Sequence, residues 1–133
     1  MAAQLNDAAI KLLAQPFICN LATLLADGSP QITPVWVDYD GRNILINTSE
    51  GRQKTKDVER DPRIALDVLD PQNPYAVLSL RGRVVAREHE GADAHIDKLA
   101  KKYLGKDQYP FRQAGEQRVI LRIEPERILM QPT

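Results

Sequence analysis

Two Asp-Gly pairs, Asp27-Gly28 and Asp40-Gly41, each fall between runs of apolar and β-branched residues, and they constrain the first third of this chain more than any other feature. Tight hairpin turns need positive φ at their central residues, which Asp tolerates and Gly adopts without steric cost, so Asp-Gly between apolar runs is a strong short-range hairpin signal. The flanking runs are Phe17 to Leu25, Pro30 to Tyr39 and Arg42 to Thr48. They predict a three-stranded antiparallel meander.

The rest of the chain adds strands and a few helices. Asn6 to Ala14 has Ala9, Leu12 and Leu13 on one helical face, Asn6 or Asp7 as a cap, and Pro16 as a stop. Arg52 to Arg60 suits a short polar helix, ended by Asp61-Pro62. Arg63 to Asp70 reads as a strand, Asp70 to Pro74 as a loop, and Tyr75 to Arg87 as a long half-exposed strand. Glu90 to Leu104 is the clearest amphipathic helix, with Ile96, Leu99, Ala100, Tyr103 and Leu104 at helical spacing and Gly105 as its stop. Arg118 to Met130 alternates and is interrupted at Glu124-Pro125, which predicts a bend or a break between two short strands. Many antiparallel strands with few helices imply a mainly β fold, a closed or nearly closed barrel with helices outside it.

Composition narrows the class. The 133 residues suit a single domain over 1–133, and 43% hydrophobic content is that of a folded chain. Eighteen basic residues balance eighteen acidic ones, so no global field favours nucleic acid or an anionic membrane as partner. No apolar stretch approaches the ~20 residues of a membrane span. The N-terminus lacks the pattern of a signal peptide, and the single Cys allows no internal disulfide framework, so a cytoplasmic protein is expected. Cys19 lies in an apolar strand without an evident base and reads as a small buried hydrophobe. Glu88, His89, Glu90, Asp93 and His95 lack a recognisable metal-ligand spacing, and no metal is expected.

One cluster points to chemistry. The strand ending in Thr48 and Ser49 is followed by a turn at Gly51 and then by Arg52, Lys54 and Lys56 at a helix start. Hydroxyls, free helical N–H groups and three cations together favour an anion such as phosphate, although the Gly-rich spacing of a P-loop is absent. The competing reading is a solvated helix face. In Thr33-Pro34-Val35-Trp36, a proline within a strand belongs at an edge or a bulge, because it donates nothing to a ladder.

The chain resembles the pyridoxamine-phosphate-oxidase-like split-barrel superfamily, and within it the branch of flavin/deazaflavin oxidoreductases that uses coenzyme F420. The matching stretches are residues 22–36, 51–57, 60–63, 70–75, 81–83, 94–100, 102–105 and 109–110, collinear from about Phe17 to Glu126. The resemblance implies an FMN-binding-type split barrel, six-stranded, antiparallel and Greek-key-like, forming a homodimer with two cofactor sites at the subunit interface. It places a flavin-like ring against the backbone of Thr33, Pro34 and Val35, with Val35 or Trp36 packing nearby; Trp36 as plain core is the alternative. Lys54 and Arg52 then meet the cofactor phosphate, Thr48 or Ser49 donates hydroxyl bonds, and Lys56 reaches an anionic tail. Arg52, Lys54, Lys56, Arg60 and Arg63 outnumber Asp57, Glu59 and Asp61 by two, which favours the dispersed anions of F420 over the compact phosphate of FMN. Tyr75, Tyr103, Tyr109 and Arg112 are candidates to line a substrate face, and no catalytic side chain is assigned. The expected activity is hydride transfer from reduced F420 to an electron-poor small organic substrate. The alternatives are an FMN-dependent oxidoreductase on the same fold and a non-catalytic carrier or sensor of the cofactor.

Overall fold

The computed structural model describes residues 2–133. In chain order the elements are α1 (Asp7–Ala14), β1 (Cys19–Leu24), β2 (Pro30–Val35), β3 (Asp38–Tyr39), β4 (Ile44–Ser49), α2 (Gln53–Arg60), β5 (Arg63–Asp70), β6 (Asn73–Glu88), α3 (Ala92–Leu104) and β7 (Arg118–Met130). The strands form one sheet in the order β2-β1-β5-β6-β7-β4-β3, and all its pairings are antiparallel.

Both Asp-Gly hairpins form, but the expected meander does not. Asp27-Gly28 joins β1 to β2, and Asp40-Gly41 joins β3 to β4. The middle run, Pro30 to Tyr39, splits at Trp36-Val37 into two strands that occupy opposite ends of the sheet order. That split makes seven strands where six were expected. It also determines the shape. Val35 and Asp38 are three peptide steps apart, so the two ends of the sheet lie within about 11 Å of each other. The sheet must curl into a barrel, closed at that seam by covalent backbone and not by a strand ladder.

Side chains from the end of α3 lace the seam. The Tyr103 hydroxyl donates to Phe17 O (2.6 Å) and accepts from the Val37 N–H (3.1 Å). The Lys102 ammonium donates to Leu13 O and Val37 O, each at 2.6 Å. These bonds satisfy backbone groups that the missing ladder leaves open. Burial pushes the Tyr103 phenol up to about 12.

The barrel interior follows strand alternation. Cys19 and Leu21 on β1, Ile64, Leu66 and Val68 on β5, and Val119, Leu121 and Ile123 on β7 all point into one core. The opposite face of β4 and β7 is covered by α3, where Leu45, Ile120 and Ala92 form a second, smaller cluster. Cys19 is fully buried, and desolvation pushes its thiol up to about 12, so it is not a thiolate at neutral pH.

One further expectation changes, and one open alternative is decided. The loop before the long strand shrinks to a tight turn, with Asp70 and Asn73 already paired. Strand β7 runs unbroken through Glu124-Pro125 as a bend with register shifts, rather than dividing into two strands. Gly82 faces this bend, and a Cβ there would lie 2.4 Å from Glu124 O, so only glycine permits the two strands to approach.

Candidate functional site

Strand β4 and helix α2 build the polar half of a cavity. Six apolar and polar residues of β4 anchor it between β7 and β3, and Thr55 on α2 donates its hydroxyl to Ser49 O (2.9 Å). Asp57, fully buried, accepts from Thr23 Oγ1 (2.7 Å), Gln53 Nε2 (2.7 Å) and Arg60 Nη2 (3.2 Å). This carboxylate ties α2 to β1 and fixes the angle at which the start of the helix meets the cavity. Burial alone would raise its pKa, but the three hydrogen bonds outweigh that and hold it below its ordinary value.

The cavity, about 360 Å³, is lined by Thr33, Pro34, Val35 and Trp36 on one side and by Thr48, Arg52, Lys54, Asn47 and Arg118 on the other; Ile18, Ile96, Tyr109 and Phe111 complete it. Strand β2 is an edge strand of the sheet order, the place a strand proline requires. Behind the rim lies an aromatic wall. Trp36 stacks on Tyr103 with centroids 5.2 Å apart and meets Tyr109 edge-on at 5.9 Å; Tyr109 meets Phe111 edge-on at 5.7 Å.

The charged groups in the cavity lining are all cations, and Glu116 beside Arg118 is the carboxylate next to them. Lys54 is only 8% exposed and makes no hydrogen bond or ion pair among the described residues. Desolvation, then the charges of Arg52 and Arg118, lower its pKa from 10.5. Arg52 Nε donates to Ser49 Oγ (2.9 Å) and has no carboxylate partner among the described residues. Arg118, 5% exposed, donates Nε to Asn47 Oδ1 (2.9 Å), while Nη1 lies 3.3 Å from Glu116 Oε1 without hydrogen-bond alignment. Thr48 Oγ1 is likewise buried without a partner. Exposed Arg52, buried Lys54 and Arg118, and the partnerless Thr48 hydroxyl beside an apolar wall fit a flat ring carrying an anionic tail: a ligand anion would offset the cost of burying Lys54 and give Thr48 a partner.

Several residues singled out from the sequence lie elsewhere. Ser49 contributes its hydroxyl to Arg52 and lines a neighbouring polar groove. Lys56 is exposed and does not line the cavity. Tyr75 is 91% exposed at the start of β6. Tyr103 stands behind Trp36, its hydroxyl committed to the seam. Arg112 is held by Asp93 (2.9 Å) and Asp97 (2.8 Å) on α3, where it fastens the loop after that helix. The local charge excess is unchanged but falls on fewer residues, because Arg60 pairs with Asp57 and Arg63 with Asp61, leaving Arg52, Lys54 and Lys56 against Glu59. Conversely, Asn47, Arg118, Ile18, Ile96 and Phe111 line the cavity without having been singled out. His95 leaves the acidic cluster of its sequence neighbourhood: Nε2 meets Asp38 Oδ2 (3.0 Å) and Nδ1 meets Asn47 Nδ2 (3.1 Å).

A curled antiparallel sheet with flanking helices and a cavity at its seam defines a split-barrel protein. The chain belongs to the pyridoxamine 5'-phosphate oxidase family, whose family model matches residues 5–131. Among solved structures it is similar to an F420 reductase, at 29% identity and a TM-score of 0.81, covering 93% of this chain and 98% of that one. The fold is shared with HupZ of Group A Streptococcus, at 21% identity and a TM-score of 0.65 over 94% of this chain and 92% of that one. It is shared also with the conserved hypothetical protein Rv2991 of Mycobacterium tuberculosis, at 21% identity and a TM-score of 0.69 over 96% of this chain and 84% of that one. No helix is long and apolar enough to cross a membrane among the described residues.

Proposed function

We propose that this protein is an oxidoreductase that transfers a hydride from reduced coenzyme F420 to an electron-poor small organic substrate. The observation that carries this reading is the cavity itself, which joins an edge strand and aromatic wall to Arg52, Lys54 and Arg118, with no aligned acceptor for Lys54. The similarity to an F420 reductase supports the choice of cofactor. When bound, reduced F420 supplies the hydride, so the chain's own task is binding, orientation and exclusion of water.

Lys54, Arg52 and the Thr48 hydroxyl hold the phosphate in this reading, and exposed Lys56 meets the tail beyond it. Backbone groups of Thr33 to Val35 hold the polar edge of the ring, and Trp36 packs beside it. Of the tyrosines singled out, Tyr109 lines the cavity and is the one placed to meet substrate. Tyr103, with its hydroxyl committed and its pKa at about 12, is not a proton donor. A second reading, FMN, is favoured by one observation: with Arg60 and Arg63 internally paired, the uncommitted cations form a compact group rather than a long track.

Titration against the fluorescence of Trp36, which lines the cavity, separates the two. Micromolar or tighter binding of F420 with weaker binding of FMN is expected. The reverse order would establish the FMN reading, and binding of neither would sink both.

The same reading includes a homodimer in which each cofactor touches both subunits and β6 lies near the interface, Val77 and exposed Val85 offering apolar contact and Arg81 pairing across the two-fold axis, while Arg83 and Arg87 pair with Glu126 and Glu50 in their own chain. Cofactor binding then stabilises the dimer by linkage. Sedimentation at low micromolar concentration should show a dimer that tightens with cofactor; a monomer binding at full stoichiometry and affinity would remove the shared site.

A further inference from the structure

We infer that Arg118 binds the oxygen-rich edge of the cofactor ring rather than its phosphate, and that Asn47 is the residue that positions it. This inference rests on the ring-binding reading above.

Arg118 opens β7 opposite Ser49, on the face that α3 covers. Its guanidinium carbon stands 5.1 Å from the centroid of Tyr109, so it is continuous with the aromatic wall, whereas Arg52 and Lys54 rise from the start of α2. Its orientation is set from behind. Asn47 Oδ1 accepts from Nε, and Asn47 is itself held through Nδ2 by Ala92 O (2.8 Å) and by His95, which is anchored on Asp38. With Nε fixed, the guanidinium plane is fixed. Nη1 is buried, 3.3 Å from Glu116 Oε1 but without hydrogen-bond alignment to it, and Nη2 makes no hydrogen bond among the described residues. A guanidinium so placed needs planar oxygen acceptors, and a flavin-like tricycle offers them at its pyrimidine edge, where nearby positive charge also favours the anionic reduced ring.

The competing role is a structural pair with Glu116, or a third cation on the phosphate. Ligands with and without the phosphate separate these, and FMN and riboflavin differ in it alone. Dissociation constants for F420 and for its ribityl deazaflavin chromophore without phosphate and glutamates, with FMN and riboflavin in parallel, are measured by Trp36 fluorescence. The ring absorption maximum gives a second readout. Arg118→Lys should weaken the phosphate-bearing and phosphate-free ligands alike, about ten-fold, the scale of one charged hydrogen bond, and should shift the bound ring's absorption. Lys54→Ala should weaken only the phosphate-bearing ligands. Asn47→Ala should reproduce the Arg118 pattern, the absorption shift included, more weakly. Should Arg118→Lys not fold, Arg118→Gln carries the same comparison. Loss confined to phosphate-bearing ligands, or unchanged affinity for all of them, overturns the inference while leaving the proposed function standing. A wild-type protein that binds neither kind of ring overturns both.

Discussion

Replacing Lys54 with Ala should weaken binding of the phosphate-bearing cofactor by about 1.5–3 kcal/mol, the worth of a charge-assisted hydrogen bond, or roughly 10- to 150-fold in dissociation constant. The same substitution should make the ligand-free protein more stable. Lys54 is a nearly buried ammonium crowded by Arg52 and Arg118, and its lowered pKa means the folded state holds that proton less tightly than the unfolded chain does. The sign follows by linkage. Below the lowered pKa the cost of the buried charge is fully present; as pH rises through it toward the unfolded value of 10.5, the cost is relieved and the ligand-free wild type gains stability. Cofactor affinity runs the opposite way and falls over that alkaline window, because the charge is what the anion binds. Isothermal titration and urea melts of wild type and Lys54→Ala, each from neutral to alkaline pH, check both halves. Unchanged affinity in Lys54→Ala, with Arg52→Ala equally silent, would return the cluster to a solvated helix face.

Asp57→Ala should cost the fold about 3 kcal/mol, since a single substitution removes three hydrogen bonds to a buried carboxylate and strands their donors. The site should suffer with the fold. Asp57 is the tie between α2 and β1, and without it the start of α2, which carries Arg52 and Lys54, loses its fixed angle. The pH dependence is the mirror of the lysine. Because the folded-state pKa of Asp57 lies below its ordinary 3.8, its contribution is present above that value and is lost as pH falls through the folded one. Urea midpoints at neutral pH should therefore separate wild type from Asp57→Ala clearly, and the gap should narrow in acid. Equal midpoints at neutral pH would show that α2 is held by something other than this carboxylate.

What the sequence disclosed was local, and what it concealed was pairing. Asp27-Gly28 and Asp40-Gly41 announce hairpins because turn chemistry acts over four residues, and both hairpins form. Nothing in the apolar run from Pro30 to Tyr39 says that it changes partners midway, since a strand that pairs with β1 and one that pairs with β4 have the same alternation. The site divides in the same way. Pro34 in a strand, and cations following Thr48, carry their chemistry in their immediate neighbours, and the structure gathers Thr33 to Trp36, Thr48, Arg52 and Lys54 around one cavity. Arg118 is one of eighteen basic residues and stands at the head of an unremarkable strand. Only the register opposite Ser49 brings it to the cavity, almost seventy residues from that partner in sequence. A faint signal was present in Ile120, an apolar residue on the otherwise polar face of β7, which marks that face as covered by another element. Tyr75 and Arg112 lie outside the cavity lining of a single chain, because residue type alone does not report where a side chain is anchored.

The laced seam has a consequence for the order in which the molecule assembles. Hairpins close quickly because their ends are neighbours, but Lys102 meets Val37 across 65 positions and Tyr103 meets Phe17 across 86. Contacts of such separation bear the largest loop-closure cost and form late in folding. The walls of the cavity are drawn from β2, β4, α2, α3 and the head of β7, so it acquires its shape only when α3 docks and the barrel shuts. A nascent chain therefore carries both hairpins well before it has anywhere to put a cofactor, and ligand competence becomes a marker that the last segment of the chain has found its place.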